Sequence, residues 1–381
     1  MAALSATVAV AFGVLLYAFS VLVTDRAAGS EFSTGILSTA YGGTVLVGGG
    51  LAFLIGRFVD QRGVRLVMGA GAVTGAAGLA ALSAARSNWQ VLAAAWLLIG
   101  PAGAMTFYEP AFVAVDQWFA PAERGRAIGI LTVVGGLAGP IFLPLTAGLV
   151  ESVGWRATAL VLGLSLAVTG LLAAGLALPA GRSDRHQTPP TNARLRELLR
   201  DRRFVTYTAS VLLLFGVFQT VIFHRIALFE DAGFGIAFVS FWAGVSGWLS
   251  FPGRYAGPVL GSGPNGARWN AAVTGLLALT LIPMLVAGET GLMILHFLTF
   301  GVVFGAVLPM RAAVMSEWFS GPDFGRIMGI QWTLAAFAGG AGPFLAGLTR
   351  DQAGTYDPAI GAMIVVLTVA AGLTLLASRC K

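Results

Sequence analysis

The chain has 381 residues, of which 57% are hydrophobic and 10% charged, with a formal net charge of +6. Soluble domains carry about 25% charged residues, so this composition excludes a water-soluble protein and indicates a chain that lies largely in lipid. The 52 glycines sit inside apolar runs, as is typical of closely packed membrane helices. The one cysteine, Cys380, excludes an intrachain disulfide or a cysteine-based metal site.

The predicted elements are twelve membrane-spanning helices, because a spanning helix needs about 20 mainly apolar residues. The windows are 4–23, 33–55, 66–85, 91–115, 127–150 and 157–179, then 204–226, 235–252, 268–287, 291–314, 327–348 and 357–378. The first window lacks the basic residues that begin a signal peptide, so we expect a retained span. The polar segment 181–203, with seven arginines, is the predicted linker between bundles 1–180 and 204–381.

The basic residues predict the orientation of these spans. With the N-terminus inside, the inner loops hold seventeen of the 23 Lys and Arg residues. The outer loops hold five, namely Arg26, Arg86, Arg156, Arg225 and Arg350, and Arg311 falls inside a span. The excess on one side predicts cytoplasmic termini. It also explains the basic character of the chain without a nucleic-acid partner.

An internal repeat connects the two halves. Residues 118–130 read WFAPAERGRAIGI and residues 318–330 read WFSGPDFGRIMGI, with six of thirteen positions identical at an offset of 200. Each copy lies between the fourth and fifth predicted span of its half. Duplicated halves are common in secondary transporters, so we expect two pseudo-symmetric six-helix bundles.

The loop between spans 2 and 3 carries a recognisable signature. Residues 56–65 read GRFVDQRGVR, which resembles the loop 2–3 motif of the major facilitator superfamily: glycine, three residues, aspartate, two residues, glycine, one residue, basic. The resemblance implies an all-α polytopic transporter whose aspartate, here Asp60, holds a cytoplasmic gate shut. Asp60 would then face Gly325 and Arg326 at the start of span 11, with Arg126 nearby. The predicted gating residues are Gly56, Asp60, Arg62, Gly63, Arg65, Arg126 and Arg326.

Other readings of this loop stay open, since Asp60 could serve only to keep the loop in water. The matching place in the second half reads Gly253-Arg254-Tyr255-Ala256-Gly257 and lacks the aspartate. The two halves are therefore not expected to be equivalent.

Further motifs are similar to those of bacterial members of the monocarboxylate-transporter branch. They are Gly154-Trp155-Arg156 after span 5, the Trp-Phe run after span 4, and His224 shortly before Phe229-Glu230-Asp231. This branch moves small carboxylates, often with a proton or in exchange. The better-known carriers place a basic residue in the middle of span 8 or 11, and both spans lack one here.

Two ionisable groups inside spans are functional candidates. Glu109 lies in span 4 and Arg311 in span 10, and the repeat offset places them nearly equivalently. Our hypothesis is a pair that is broken or bridged during transport, with Glu109 able to carry a proton. A static interhelical pair, or an arginine that snorkels to the interface, are the alternatives.

Weaker candidates for solute or proton binding are polar or aromatic groups on the same predicted helices. His224 and His296 could recruit anions at an outer mouth or act as interface anchors. The others, which could equally be packing residues, are Tyr17, Tyr41, Tyr108, Gln219, Trp242, Gln331 and Trp332.

The sequence therefore predicts a secondary active transporter, a symporter or antiporter, in a bacterial cytoplasmic membrane. Its solute is a small organic anion such as a monocarboxylate, moved by alternating access with protons. The alternative is a proton-coupled multidrug or metabolite exporter. Residues Gly135–Pro140 partly resemble the helix 5 signature of such exporters. We expect no enzyme activity, no cofactor and no metal, and a chain that functions as a monomer in the lipid bilayer.

Overall fold

The computed structural model describes residues 1–24, 31–178 and 192–380, and this part of the chain contains helices and no strands. Arg26, residues 181–191 of the predicted linker, and Lys381 lie outside the described residues. The described remainder of the linker holds a short helix, Asn192–Arg200, and the first residues of the next long helix.

Twelve helical passes follow one another along the chain. In the first half they are α1 (Ala2–Phe12, Gly13–Ala18 and Phe19–Thr24), α2 (Thr34–Arg62), α3 (Val64–Ala84) and α4 (Asn88–Ala93, Ala94–Ile99, Gly100–Thr106 and Tyr108–Trp118), then α5 and α6, which share Pro121–Gly136, Ala138–Leu172 and Ala173–Ala177. In the second half they are α7 (Arg202–Asp231), α8 (Ile236–Gly261), α9 (Gly266–Leu279 and Ile282–Val286), α10 (Thr290–Phe319), α11 (Phe324–Ala353) and α12 (Asp357–Arg379).

Nine apolar helices in the described part of the chain are long enough to cross a membrane. One of these, Pro121–Leu176, contains both α5 and α6. The remaining two passes are α1, which is divided into short segments, and α11. The predicted fold class, an all-α membrane protein with twelve spans, is confirmed.

Glycines with positive φ separate successive helices at two places. Gly63 (φ 82°) follows α2, and its N–H donates to the Val59 carbonyl at 2.9 Å. Gly154 (φ 80°) interrupts Ala138–Leu172, so α5 ends and α6 begins there. Only glycine reaches such φ values without a steric cost from Cβ, which explains why each turn is built on glycine.

A break in α4 positions the candidate acid. Phe107 has extended backbone angles (φ −78°, ψ −160°), and the helix restarts at Tyr108. Pro110 has no N–H to donate to the carbonyl of Thr106, and its ring disfavours a continuous helix there. Glu109 consequently lies in the first turn of a new helix, where the helix dipole favours a negative charge.

The helices form two compact units. The first contains residues 1–119, 130–191 and 321–333, and the second contains 120–129, 192–320 and 334–381. Each unit thus takes one copy of the repeat from the other half of the sequence. The first has a core of buried apolar residues from α1 to α6, and the second a phenylalanine-rich core from α7 to α12.

Candidate functional site

Asp60 binds the first turn of α11 within the first unit. Its side chain is only 1% exposed. Oδ1 accepts a hydrogen bond from the N–H of Gly325 at 2.9 Å, and Oδ2 accepts one from the N–H of Arg326 at 2.9 Å. These N–H groups have no partner within their own helix, and the helix dipole adds to their attraction for an anion. The aspartate therefore caps α11 from a different helix.

Glycines allow α2 and the start of α11 to come into backbone contact. A Cβ at Gly56 would overlap the carbonyl oxygen of Gly325, and a Cβ at Gly329 would overlap that of Ala52. A Cβ at Gly325 would lie 2.6 Å from Oδ1 of Asp60. Side chains at these three glycines would push α11 away from the carboxylate that caps it.

The remaining gating candidates of the first unit make contacts of their own. The Arg326 side chain is buried and donates from Nη1 to Oδ1 of Asp323 at 2.9 Å. Arg65 donates to the Gly175 carbonyl at 3.3 Å, whereas Arg62 is exposed at the end of α2. Gly63 supplies the turn described above.

The first copy of the repeat belongs to the second unit and is arranged differently. Arg126 is exposed, while its neighbour Arg124 is buried and donates to the Ser316 hydroxyl at 3.1 Å. The predicted approach of Arg126 to Asp60 joins residues of different units and stays a prediction. Nothing in the sequence pattern distinguished Arg124, because the repeat carries Phe324 at the equivalent position.

Glu109 lies beside the Asp60 contact in the first unit. It is half-buried and lines a cavity of about 10 Å³ together with Gly56, Gly325 and Met328. A volume of that size holds about one water molecule. The cavity therefore brings an ionisable carboxyl next to the first turn of α11.

The aromatic candidates of the first unit pack around the break in α4. Tyr108 is buried, donates to the Thr132 carbonyl at 3.4 Å and stacks on Phe112. Tyr17 is half-buried beside Gly139 of α5, and Tyr41 is half-buried against Phe19.

Arg311 is deeply buried in the second unit, with 2% of its surface exposed. Tyr207 of α7 lies within its electrostatic reach and accepts a hydrogen bond from Asn270 at 3.1 Å. Glu109 and Arg311 belong to different units, so the hypothesis that they pair stays a prediction.

Four further candidates lie on α7 and α11. Gln331 is fully buried and Trp332 half-buried, both within the first unit. In the second unit the side chain of Gln219 packs against Gly339. His224 contacts Pro343 O through Nε2 at 2.9 Å and the Tyr356 hydroxyl through Nδ1 at 3.2 Å. Burial raises the pKa of Tyr356, which keeps this hydroxyl able to donate.

The end of α7 differs from the prediction. The predicted span 204–226 has Arg225 at its outer end, and this arginine was counted with the outer loops, but α7 continues to Asp231 and Arg225 is buried within it. The aromatic faces of Phe297 and Phe300 lie 5.3 and 5.5 Å from its guanidinium carbon, which explains how a cation is accommodated there. An arginine at the end of an apolar window was counted as a loop residue, although the helix continues past it.

Arg254 was likewise assigned to an inner loop and lies inside α8, which ends at Gly261. Its Nε donates to the Ser250 hydroxyl at 3.2 Å, and its guanidinium lies 5.8 Å from the ring centre of Phe304. The helix simply continues beyond the apolar window.

His296 is fully buried in α10, in contact with Phe229, Phe297 and Phe300. Its Nδ1 lies 2.8 Å from the Thr280 carbonyl. In the described residues no three His, Cys, Asp or Glu side chains are grouped as a metal site would require.

Comparison with known proteins places these features in a family. The model of the Major Facilitator Superfamily matches residues 1–307. The chain belongs to this superfamily and is a multi-pass membrane transporter, not an enzyme.

Similar sequences include carriers from animals and bacteria. Monocarboxylate transporter 13 of Bos taurus is 28% identical over 302 residues, which cover 77% of this chain and 69% of the relative. The uncharacterised transporter YcxA of Bacillus subtilis is 26% identical over 349 residues, covering 85% of this chain and 81% of the relative.

Two solved structures share the fold. The Escherichia coli fucose:proton symporter FucP has a TM-score of 0.76 at 16% identity, covering 99% of this chain and 98% of that one. The human organic anion transporter MFSD10 has a TM-score of 0.71 at 19% identity, covering 99% and 96%.

Proposed function

We propose that this protein is a secondary active transporter that moves a small organic anion, such as a monocarboxylate, together with protons by alternating access. The observation that carries the proposal is the buried Asp60 carboxylate on the first turn of α11. A charged group held by two backbone N–H groups is a strong contact that can be made or broken as a unit. In this proposal it keeps the cytoplasmic gate closed in one state, with Arg126 as a further charge at that gate.

Two sequence relatives support the choice of solute, since they are named monocarboxylate transporters and are 26–28% identical to this chain. The deep burial of Arg311 also supports an anion, because a buried guanidinium favours a negatively charged ligand or partner.

Glu109 is the proposed proton carrier. Its carboxyl lines the one-water cavity that also contacts Gly56 and Gly325, so its charge acts next to the capped start of α11. Protonation would remove a negative charge beside Asp60 and would change the electrostatic balance at that turn. The pairing of Glu109 with Arg311 is retained as part of this proposal.

Uptake by proteoliposomes tests the proposal. Radiolabelled lactate and benzoate should accumulate when the outside is made acidic, and this accumulation should fall at least about tenfold in Glu109→Gln and Arg311→Ala. Glu151→Gln is the matched control, because Glu151 is an exposed carboxylate at the end of α5. Wild-type protein that takes up neither acid would overturn the proposal.

The exporter alternative makes an opposite prediction. Lipophilic cations would then leave the vesicles in exchange for protons, and the carboxylates would have no effect on that exchange. In that case Glu109 would carry the proton that is exchanged for a cation.

A further inference from the structure

The second unit buries an arginine whose hydrogen-bonding capacity is not used by the protein. Arg225 is 9% exposed, and its Nε and Nη1 have no hydrogen-bond partner among the described residues. A guanidinium has two forks of paired N–H groups, Nε with Nη2 and Nη1 with Nη2. Each fork of Arg225 therefore contains one buried nitrogen that lacks an acceptor.

A second orphaned atom belongs to His296. Its side chain is 0% exposed, and Nε2 has no hydrogen-bond partner in the described part of the chain. The Thr280 carbonyl can only accept, so Nδ1 carries the proton in the neutral ring and Nε2 is a vacant acceptor. The ring thus offers a place for one additional proton.

The two groups are neighbours. Both contact the rings of Phe297 and Phe300, and the positive charge of Arg225 acts on the His296 ring. Because like charges repel, a proton at Nε2 requires an anion bound between the two groups. Arg225 is the charged residue that acts on this ring among the described residues, and the Thr280 carbonyl accepts its hydrogen bond. The remaining surroundings are the aromatic faces of Phe229, Phe297 and Phe300.

A third orphaned group lies on α8. Nε1 of Trp242 on α8 is buried without a partner among the described residues, and its ring packs on the same core. Arg225 precedes the end of α7 by six residues, while Trp242 and His296 follow the starts of α8 and α10 by six. At ~1.5 Å per residue each lies about 9 Å from its helix end.

We infer that Arg225 and His296 form a binding site for a carboxylate and the proton that accompanies it. The carboxylate accepts from the guanidinium, and the proton bound at Nε2 of His296 donates to it. Planar bidentate pairing is the geometry in which arginine binds carboxylates most strongly. This inference rests on the proposed function and names the subsite where the solute enters.

This subsite is distinct from Arg311, the buried arginine of the proposed Glu109–Arg311 pair. Fifteen residues of α10 separate His296 from Arg311, which is about 22 Å at ~1.5 Å per residue. The site also supplies the basic residue that spans 8 and 11 lack, from α7 instead.

Ligand-dependent thermal unfolding of the purified full chain tests the inference, with sodium lactate and sodium benzoate as probes at pH 5.5 and 7.5. Wild-type protein should be stabilised by either acid, more strongly at pH 5.5. Arg225→Gln should weaken the apparent Kd at least about tenfold at both pH values. His296→Gln should bind the carboxylate with little dependence on pH.

Matched variants separate binding from structure. Arg350→Gln removes an exposed arginine near the same end of the unit, which pairs with Asp231, and should leave the Kd unchanged. Arg225→Lys keeps the charge but loses the forks, so its apparent Kd should lie between those of wild type and Arg225→Gln. This variant replaces Arg225→Gln if the glutamine variant does not fold. Sodium chloride at matched ionic strength should not stabilise the protein.

Specific outcomes would overturn the inference. Wild-type affinity and pH dependence in both Arg225→Gln and His296→Gln would mean that the two side chains only pack, while carboxylate uptake by wild type would leave the proposed function standing. Equal stabilisation by chloride would remove the carboxylate assignment. Wild-type protein that neither binds nor takes up the acids would remove the proposed function itself.

Discussion

The two copies of the repeat begin α5 and α11 with the same glycines but meet different partners. In the first unit, Gly325 and Arg326 donate to the Asp60 carboxylate on α2. In the second unit, Gly125 approaches α8, where a Cβ would lie 2.6 Å from the Pro258 carbonyl and 2.5 Å from the Ser262 hydroxyl. One contact is made by a buried charge and the other by backbone packing.

The residue that corresponds to Asp60 explains this difference. Gly253 matches Gly56, so Gly257 takes the place of Asp60 on α8. A Cβ at Gly257 would lie 2.7 Å from the Cβ of Ala306 on α10, so no carboxylate fits there. The two units therefore share the close helix approach, while the carboxylate that caps a helix at this contact is Asp60 of the first unit.

The largest effect is expected when the second unit is given the carboxylate of the first. Gly257→Asp would force a charge into the contact between α8 and α10, where its Cβ alone would already overlap Ala306. The loss of stability should exceed about 4 kcal/mol, and size-exclusion chromatography should show aggregated protein.

A milder pair of substitutions controls for packing at the same helix. Gly257→Ala should lower the unfolding temperature, since its methyl group meets Ala306, whereas Gly247→Ala should not, because nothing lies within 4 Å of a Cβ there. Monodisperse Gly257→Asp protein of wild-type stability would show that the two sites are interchangeable.

Arg326→Gln should have the next largest effect. It leaves Asp323 buried without its cation, and Oδ2 of that carboxylate has no other partner among the described residues. Breaking a buried pair costs about 3 kcal/mol, which thermal unfolding would detect. Arg126→Gln, the same position of the other copy, is the matched control and should change little.

Asp60→Asn should weaken the cap on α11. The amide keeps one acceptor but turns an NH₂ group toward the other N–H, and the charge is lost. A charge-assisted hydrogen bond contributes about 2 kcal/mol, so the contact should open about tenfold more often or more.

Cysteine labelling measures that opening. In a Cys380→Ser background, a cysteine at Ala104, which lines the cavity beside Glu109, should react with maleimide faster in Asp60→Asn. Equal labelling rates with and without Asp60 would contradict the proposed gating role.

Hydropathy and charge counting were sufficient for the helices, because a lipid environment leaves the backbone few other structures. They misplaced helix ends wherever a charge is tolerated inside a helix, as at Arg225 and Arg254. Both guanidinium groups lie over aromatic rings of α10, those of Phe297 and Phe300 for Arg225 and that of Phe304 for Arg254. These rings come from another helix and cannot be found in a local window.

The candidate site divides in the same way. The loop signature singled out Asp60 and the start of α11, because the spacing of its glycines and aspartate is the spacing that contact with a second helix needs. The orphaned nitrogens of Arg225 and His296 have no such signature. They became visible only when the fold showed which buried atoms lack partners.

The smallest expected effect concerns Arg126, whose proposed contribution to the gate is that of an exposed charge. Arg126→Gln should change the labelling rate of the cysteine at Ala104 about twofold, equivalent to less than about 0.5 kcal/mol. Raising the salt concentration to about 1 M reduces the screening length to about 3 Å, so this effect should disappear there. The effect of Arg326→Gln should persist, because the Asp323–Arg326 pair is buried and poorly screened. An Arg126 effect that survives high salt would mean that this copy of the repeat, too, makes a buried polar contact, and the contrast between the two units would then be one of degree.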